Sequence, residues 1–147
     1  MPPDVKLGPE DCNCYAVRAA ARHVTQAYDQ FLAPTGLRTT QFSILAKLKR
    51  KGPLTINALA EDMVMDRTTL GRNILPLERD ALIKIQPSAT DGRAKELLLT
   101  KAGEQRFQAA LKTWSAAQAR FEKTYGARRA TDLRAMLRAV VASELNP

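Results

Sequence analysis

Apolar side chains recur at helical spacing along most of the chain and change to a strand-like pattern in one stretch. A β-branched run at 82–85 and an apolar segment at 94–99 enclose the turn Thr90-Asp91-Gly92-Arg93, which predicts a β-hairpin. Elsewhere, spacings of three and four residues predict helices at 11–33, 40–50, 56–64 and 67–80, and two more after residue 100. The expected fold class is mainly α with a small β-hairpin.

Polar residues and helix breakers mark the predicted ends of these elements. Pro34-Thr35-Gly36, Gly52-Pro53 and Gly126 are expected to end helices, and Val64-Met65 to form a tight turn between the third and fourth helices. The predicted N-caps, in chain order, are Asp11, Thr39 or Thr40, Thr55, Asp66, Thr100, and finally Thr131 or Asp132.

The order of the elements predicts a winged helix-turn-helix, because two helices joined by a tight turn precede the hairpin. We expect residues 1–147 to form one unit in which 38–103 make the winged-helix lobe. The apolar stripes of the last two helices exceed what one small lobe can cover, and pairing with a second chain would bury them. Residues 104–146 are therefore expected to be dimerisation helices.

Charge is distributed unevenly along the chain. The net charge is +8 and the pI about 9.9, yet residues 1–37 carry a net −1 while the remainder carries a net +9. A strongly basic balance favours a nucleic-acid partner, because phosphates are the commonest large anions that proteins meet. The first helix is thus an unfavourable DNA surface, and the winged lobe is a favourable one.

The start of the fourth helix carries a base-reading set of side chains. In this architecture the second helix of the pair enters the major groove with its N-terminal turns facing the bases of double-stranded DNA. Arginine suits guanine, asparagine suits adenine, and a threonine methyl suits thymine. Gly71 suggests close approach of the backbone to DNA or to another element. The alternative is a solvated helix face, and the candidate residues are Arg67, Thr68, Thr69, Arg72 and Asn73.

The hairpin turn places Arg93 at its tip, close to Lys95. An arginine held on such a turn can enter a narrow minor groove, where the negative potential is enhanced. Asp91 is expected to hold that guanidinium through a charge-assisted hydrogen bond. The alternative is an exposed turn without a partner. A further basic cluster either touches phosphates or forms a solvated face: Lys47, Lys49, Arg50 and Lys51.

Four segments carry a family resemblance. The helix start Met65-Asp66-Arg67-Thr68-Thr69-Leu70 follows Leu54–Ala60, and Asp91–Lys95 and Leu99-Thr100-Lys101-Ala102-Gly103 come later. Together they closely resemble the multiple-antibiotic-resistance regulator (MarR) family over about residues 11–145. The resemblance implies a homodimer built by the first helix, residues 11–33, and by the last two helices, residues 104–146. It also implies a repressor of a pseudo-palindromic operator, released by a small aromatic or anionic ligand or by oxidation.

Cys14 and Tyr28 lie 14 residues apart in the first helix, a spacing that resembles the branch of the family that senses organic hydroperoxides. In that branch the tyrosine hydrogen-bonds the cysteine across the dimer. The helix N-terminus and Arg18 would favour the oxidisable thiolate. The chain departs from the pattern where it has Thr39 in place of a second tyrosine and Arg18 in place of an aromatic. The alternative is a small buried side chain, and a role for Cys12 stays open.

Other classes of function find less support. His23, nine residues after Cys14, points the opposite way round the helix, so the set is poor for zinc. With no Gly-rich phosphate loop or second catalytic motif, we expect no cofactor and no enzyme, a thiol peroxidase being the enzymatic alternative. A purely protein-binding winged helix would lack the exposed Arg67, Arg72 and Arg93. Without an apolar run of membrane length or a signal-peptide pattern, we expect a cytoplasmic chain that does not contact the membrane.

Overall fold

The computed structural model describes residues 6–147, so the N-terminal segment Met1–Asp4, which was examined for a signal peptide, lies outside the described residues. The described residues form six helices and three strands. The helices are α1 (Asn13–Leu32), α2 (Thr39–Lys51), α3 (Ile56–Asp62), α4 (Arg67–Arg79), α5 (Lys101–Tyr125) and α6 (Ala127–Ala142). The strands are β1 (Leu54–Thr55), β2 (Ile83–Pro87) and β3 (Lys95–Leu99).

The three strands form one antiparallel sheet in the order β1-β3-β2. In the predicted hairpin, Ile83 pairs with Leu99 and Ile85 with Leu97. The short strand β1 pairs with the other edge of β3, where Leu54 faces Leu97. The mainly helical fold with a small hairpin is therefore confirmed, and the sheet ties the segment before α3 to the wing.

The core lies where α2, α3 and α4 meet the sheet and the first half of α5. Leu45, Leu59, Leu70 and Leu97 are fully buried there. Burial of each such side chain contributes roughly 1.5–3 kcal/mol. An aromatic group joins α2 to α5: the ring centroid of Phe42 lies 5.3 Å from that of Phe107 and 5.8 Å from that of Trp114.

Three predicted N-caps are confirmed by hydrogen bonds. Oγ1 of Thr55 accepts the backbone N–H of Ala58 at 3.1 Å, and Oγ1 of Thr100 accepts that of Gly103 at 3.0 Å. Asp66 caps α4 in the same way. Each threonine cap contributes about 0.5–2 kcal/mol to the stability of the protein, because it satisfies a backbone N–H that has no partner within the helix.

The predicted cap of the first helix is wrong. The N-cap of α1 is Cys12, whose Sγ accepts the backbone N–H of Tyr15 at 3.4 Å. Asp11 lies instead at the end of a short 3-10 turn (Pro9–Asp11), where its carboxylate accepts the N–H of Gly8 at 2.9 Å. The 3-10 turn therefore moves the N-cap by one residue, from Asp11 to Cys12.

The N-terminus of the second helix is capped in part by a residue of the first helix. It begins at Thr39 with Arg38 as N-cap, so neither predicted threonine cap is correct. The backbone N–H of Arg38 donates to Oε1 of Gln41 at 3.0 Å, and that of Thr39 donates to Oδ1 of Asp29 at 2.7 Å. Because Asp29 belongs to α1, local sequence could not reveal this cap.

The last helix begins five or six residues earlier than predicted. Its N-cap is Gly126 at φ 108°, and α6 starts at Ala127 rather than after Thr131 or Asp132. The positive φ lets the chain turn directly from α5 into α6. Ala130 becomes buried against the rest of the chain, which favours the longer helix.

The end of α4 also differs from the expected pattern. Ala81 continues the helical spacing of the buried residues Leu70, Ile74 and Leu77, yet it is exposed and has φ 56°. It lies in the turn that follows the helix, so its side chain cannot share the buried face. Among residues 6–147 no helix combines the length and apolarity needed to cross a bilayer.

Candidate nucleic-acid interface

The first turn of α4 is held by Asp66. Its Oδ1 accepts the backbone N–H of Thr69 at 2.8 Å, and its Oδ2 accepts the hydroxyl of the same residue at 2.9 Å. These hydrogen bonds, the backbone one foremost, hold the pKa of Asp66 below its ordinary value. The Thr69 hydroxyl is thus committed to the cap, which leaves its methyl group for contacts outside the protein.

The outward face of α4 is polar and uncovered. Arg67, Thr68 and Arg72 are exposed, while the opposite face is buried in the core. The amide nitrogen of Asn73 donates to the carbonyl of Thr69 at 2.9 Å, so one of its two N–H donors is already used. Outside the local backbone of α4, no atom of residues 6–147 lies within 4 Å of a Cβ built at Gly71, so the expected approach of another element of this chain is wrong.

The wing turn is ordered by its own polar groups. Ser88, which is buried, donates its N–H to the carbonyl of Ala94 at 2.8 Å, and its Oγ accepts the N–H of Asp91 at 3.3 Å. Oδ1 of Asp91 accepts the backbone N–H of Arg93 at 3.1 Å. The predicted bond from Asp91 to the Arg93 guanidinium is wrong: the carboxylate holds the backbone of the turn, and the guanidinium stays exposed.

The start of α4 and the wing meet in one groove. We call it the wing groove; it encloses about 540 Å³. It brings Arg67 together with Arg93 and Lys95, which lie some 25 residues further along the chain. Asp91 is the acidic residue of this lining. The whole lining is Thr55, Ile56, Asn57, Arg67, Asp91, Arg93, Ala94 and Lys95.

Sequence reasoning missed the start of α3 as part of this surface. Thr55 and Asn57 line the wing groove because β1 is drawn onto β3 beside the wing. The one available signal was their position at the start of the first helix of the helix-turn-helix. Because Asn57 is exposed, its amide can still form hydrogen bonds outside the chain.

Most of the basic cluster on α2 is engaged inside the chain. Asp62 forms ion pairs with Lys47 at 2.9 Å and Lys51 at 3.0 Å, and Lys49 pairs with Glu104. Hydrogen bonds from the two lysines, Lys47 first, hold the pKa of Asp62 below its ordinary value. These pairs tie α2 to α3 and to α5, and reduce the charge available for phosphates.

The winged lobe is joined to α5 by close backbone packing. The hydroxyl of Thr100 donates to the carbonyl of Ala81 at 2.6 Å, and its N–H donates to that of Leu82 at 3.1 Å. Gly103 lies against the same carbonyl of Leu82. The Leu-Thr-x-x-Gly segment therefore attaches α5 directly to the turn that follows α4.

The candidate redox residues are only partly brought together. Cys12 and Cys14 are exposed at the start of α1. Tyr28 lies near the other end of the helix and donates its hydroxyl to Oε1 of Gln118 on α5 at 2.5 Å. Burial raises the pKa of Tyr28, Glu122 raises it further, and Arg134 opposes both. Arg18 is exposed one turn after Cys14.

Apolar side chains remain uncovered on α1 and α6. Val17 on α1 and Leu137, Val140 and Val141 on α6 are each at least 42% exposed. A groove of about 370 Å³ runs between the two helices. A second groove of about 350 Å³ lies between α1 and α5, and its lining includes His23, Tyr28, Phe31, Arg120, Phe121 and Tyr125.

Comparisons with known proteins agree with this architecture. The sequence model of the MarR family matches residues 37–95. The Bacillus subtilis (strain 168) protein YxaD, described as an uncharacterized HTH-type transcriptional regulator, is 32% identical over 99 residues, which span 59% of this chain and 69% of YxaD. These relatives are transcription regulators rather than enzymes.

Solved structures extend the similarity to most of the chain. The M. tuberculosis transcriptional regulator MosR, crystallised in complex with DNA, is 38% identical, with a TM-score of 0.77 over 91% of this chain and 99% of MosR. The apo form of MarR from E. coli superposes with a TM-score of 0.71 over 88% of this chain and 96% of that chain, at 17% identity, and so supports the fold alone. This chain belongs to the MarR family of winged helix-turn-helix, DNA-binding transcription regulators.

Proposed function

We propose that this protein is a homodimeric repressor that binds a pseudo-palindromic operator and is released from it by a small-molecule effector. The observation that carries the proposal is the wing groove, where Arg67 of the recognition helix α4 meets Arg93 and Lys95 of the wing. In a winged-helix complex the recognition helix lies in the major groove of the DNA duplex and the wing lies beside the minor groove. Cations on both elements therefore suit simultaneous contacts to the bases and to the DNA backbone.

Each predicted DNA-binding side chain has a role in this proposal. Arg67, Thr68 and Arg72 read base edges from the exposed face of α4, and Arg93 enters the minor groove with Lys95 on an adjacent phosphate. The remaining three support them. Asn73 offers its free amide N–H and oxygen to a base, the methyl of Thr69 faces a thymine methyl, and Asp91 fixes the wing turn.

The uncovered apolar surface of α1 and α6 supports the dimer. Side chains such as Val17, Leu137 and Val141 would cost free energy if they stayed in water, and a second copy of the same surface would bury them. A two-fold dimer also presents two recognition helices to two half-sites, which is why a pseudo-palindromic operator follows from it.

The groove between α1 and α5 supports an aromatic or anionic effector. Phe31, Phe121 and Tyr125 supply apolar walls, and Arg120 supplies a cation for a carboxylate. Because these helices are the proposed dimerisation elements, a ligand here would change the spacing of the two recognition helices. A panel of aromatic carboxylates, tested for a shift of the thermal unfolding midpoint and for release of DNA, tests this part.

Selection from random-sequence duplexes tests the main proposal. The full-length protein should enrich an inverted repeat, bind it as a dimer by light scattering, and lose affinity steeply as salt rises. Linking the selected site to a reporter gene should reveal repression. Enrichment of no common sequence, or reporter activation, would contradict the proposal.

The second candidate is a redox-sensing regulator that uses Cys14, favoured by the exposure of this thiol at the start of α1. A hydroperoxide would oxidise the thiolate to sulfenic acid and be reduced to the alcohol. The Cys14→Ser variant should then stay on DNA under cumene hydroperoxide while the wild type is released. Continued binding of the oxidant-treated wild type would eliminate this candidate.

A further inference from the structure

A second basic groove lies beside α4, away from the wing. We call it the arginine groove; it encloses about 460 Å³ between the start of α2 and the second half of α4. Its polar and charged lining residues are Arg38, Gln41, Arg72, Asn73, Arg79 and Asp80. Three guanidinium groups thus face one carboxylate, which leaves a net positive surface.

The two grooves flank α4 on opposite sides. Pro76, in the wall of the arginine groove, comes nine residues after Arg67, which lines the wing groove. At about 100° per residue, nine residues place the two positions half a turn apart around the helix. A recognition helix bordered in this way has a basic surface along both of its flanks.

We propose that the arginine groove binds the sugar-phosphate backbone that borders the major groove on the side away from the wing. A helix in the major groove, which is about 12 Å wide, lies between two phosphate strands. The wing groove meets one of them, and Arg38 and Arg79 reach the other. The planar guanidinium fork matches phosphate oxygens with two parallel hydrogen bonds.

The ion pairs inside the chain leave the positive charge of the arginine groove available for phosphates. Nε of Arg79 lies 3.6 Å from Oδ1 of Asp80, but both side chains are about half exposed or more, so water screens the pair. Arg38 and Arg72 are exposed and form no ion pair within residues 6–147. By contrast, Lys47 and Lys51 share the half-buried carboxylate of Asp62, and Lys49 pairs with Glu104.

These contacts would position the recognition helix and not read sequence, because phosphates are the same in every base pair. The proposal rests on the DNA-binding function proposed above. The arginine groove would extend the DNA-contacting surface to the N-terminus of α2. A single winged lobe would then contact both phosphate backbones that border the major groove. Arg72, at the boundary, can turn either to a base or to this strand.

The test compares the double variant Arg38→Ala/Arg79→Ala with a control, Lys112→Ala/Lys123→Ala, which removes two exposed cations from α5. Binding to the selected duplex is measured between 50 and 300 mM NaCl, and dimer mass and far-UV CD check the fold of both variants. Each lost phosphate contact should lower the slope of log K against log salt by about 0.9. The groove variant should weaken binding to selected and scrambled duplexes by the same factor, while the control keeps the wild-type slope.

An unchanged salt slope in a folded groove variant would overturn the inference, and the proposed function would survive if Arg93→Ala still weakens binding. Failure of the wild-type protein to bind any duplex would instead overturn the proposed DNA-binding function. Inorganic phosphate at matched ionic strength probes a small-anion site. If phosphate raises the thermal midpoint of the wild type but not of the groove variant, and the salt slopes agree, the groove binds a free anion and the inference is wrong.

Discussion

The α-carbon of Gly103 lies so close to the carbonyl oxygen of Leu82 that a Cβ built on the glycine would sit 1.9 Å from that oxygen. The same oxygen accepts the N–H of Thr100 at 3.1 Å. A glycine inside a helix normally costs about 1 kcal/mol relative to alanine. Here it permits the contact that joins the winged lobe to α5.

Gly103→Ala should therefore destabilise the protein despite the better helix propensity of alanine. Overpacking against a backbone atom typically costs about 1–3 kcal/mol, and here either the backbone or the joint must shift. Urea unfolding followed by CD measures the loss. Gly71→Ala is the matched control, because nothing lies within 4 Å of its added Cβ and helix propensity predicts a gain of up to about 1 kcal/mol. Equal effects of the two changes would show that the joint is not tightly packed.

Asp62→Asn should lower the free energy of unfolding at neutral pH, because it removes the charge that faces Lys47 and Lys51. The pKa of Asp62 is lowered in the folded chain, so its contribution is present above its unfolded pKa of about 4 and is lost as pH falls through the folded value. The free energies of unfolding of variant and wild type should therefore converge once the pH lies below the folded pKa of Asp62. Asp132→Asn, which changes an exposed carboxylate, should show no such convergence.

Arg93→Ala should weaken operator binding by about 1–3 kcal/mol, the usual range for a well-placed groove contact. The wing backbone should be unaffected, because Asp91 holds it through the N–H of residue 93, which alanine retains. Fluorescence anisotropy with the selected duplex measures the change, and Arg128→Ala serves as the control. Wild-type affinity in the variant would remove Arg93 from the interface.

Arg67→Ala should alter the base preference of the protein more than its general affinity for DNA. Its guanidinium stands at the exposed first turn of α4, where a bidentate contact to guanine is available. Affinities for a set of single-base variants of the operator should become more alike at one position in each half-site. A uniform loss across the set would make Arg67 a phosphate contact instead.

Elements whose signals are local were predictable from sequence. The caps at Thr55, Asp66 and Thr100 follow from side chains that reach only three residues ahead. The hairpin at 83–99 follows from the change of hydrophobic period and its turn. The start of α2 was missed because its capping carboxylate, Asp29, comes from another helix. The start of α6 was missed because a buried Ala130 outweighs the capping propensity of Thr131.

The sequence alone determined the winged helix-turn-helix and the basic residues of its recognition helix and wing, because short-range periodicity, capping and turn chemistry specify those elements. Only the tertiary structure decided how the residues are used. It placed Arg67 with Arg93 in one groove and turned Asp91 to the backbone of the turn. It also paired the lysines of α2 with Asp62 and Glu104 and left Arg38 and Arg79 lining an open groove. The physical reason is that ion pairing and groove formation depend on distances between side chains far apart in the chain, which no local pattern encodes.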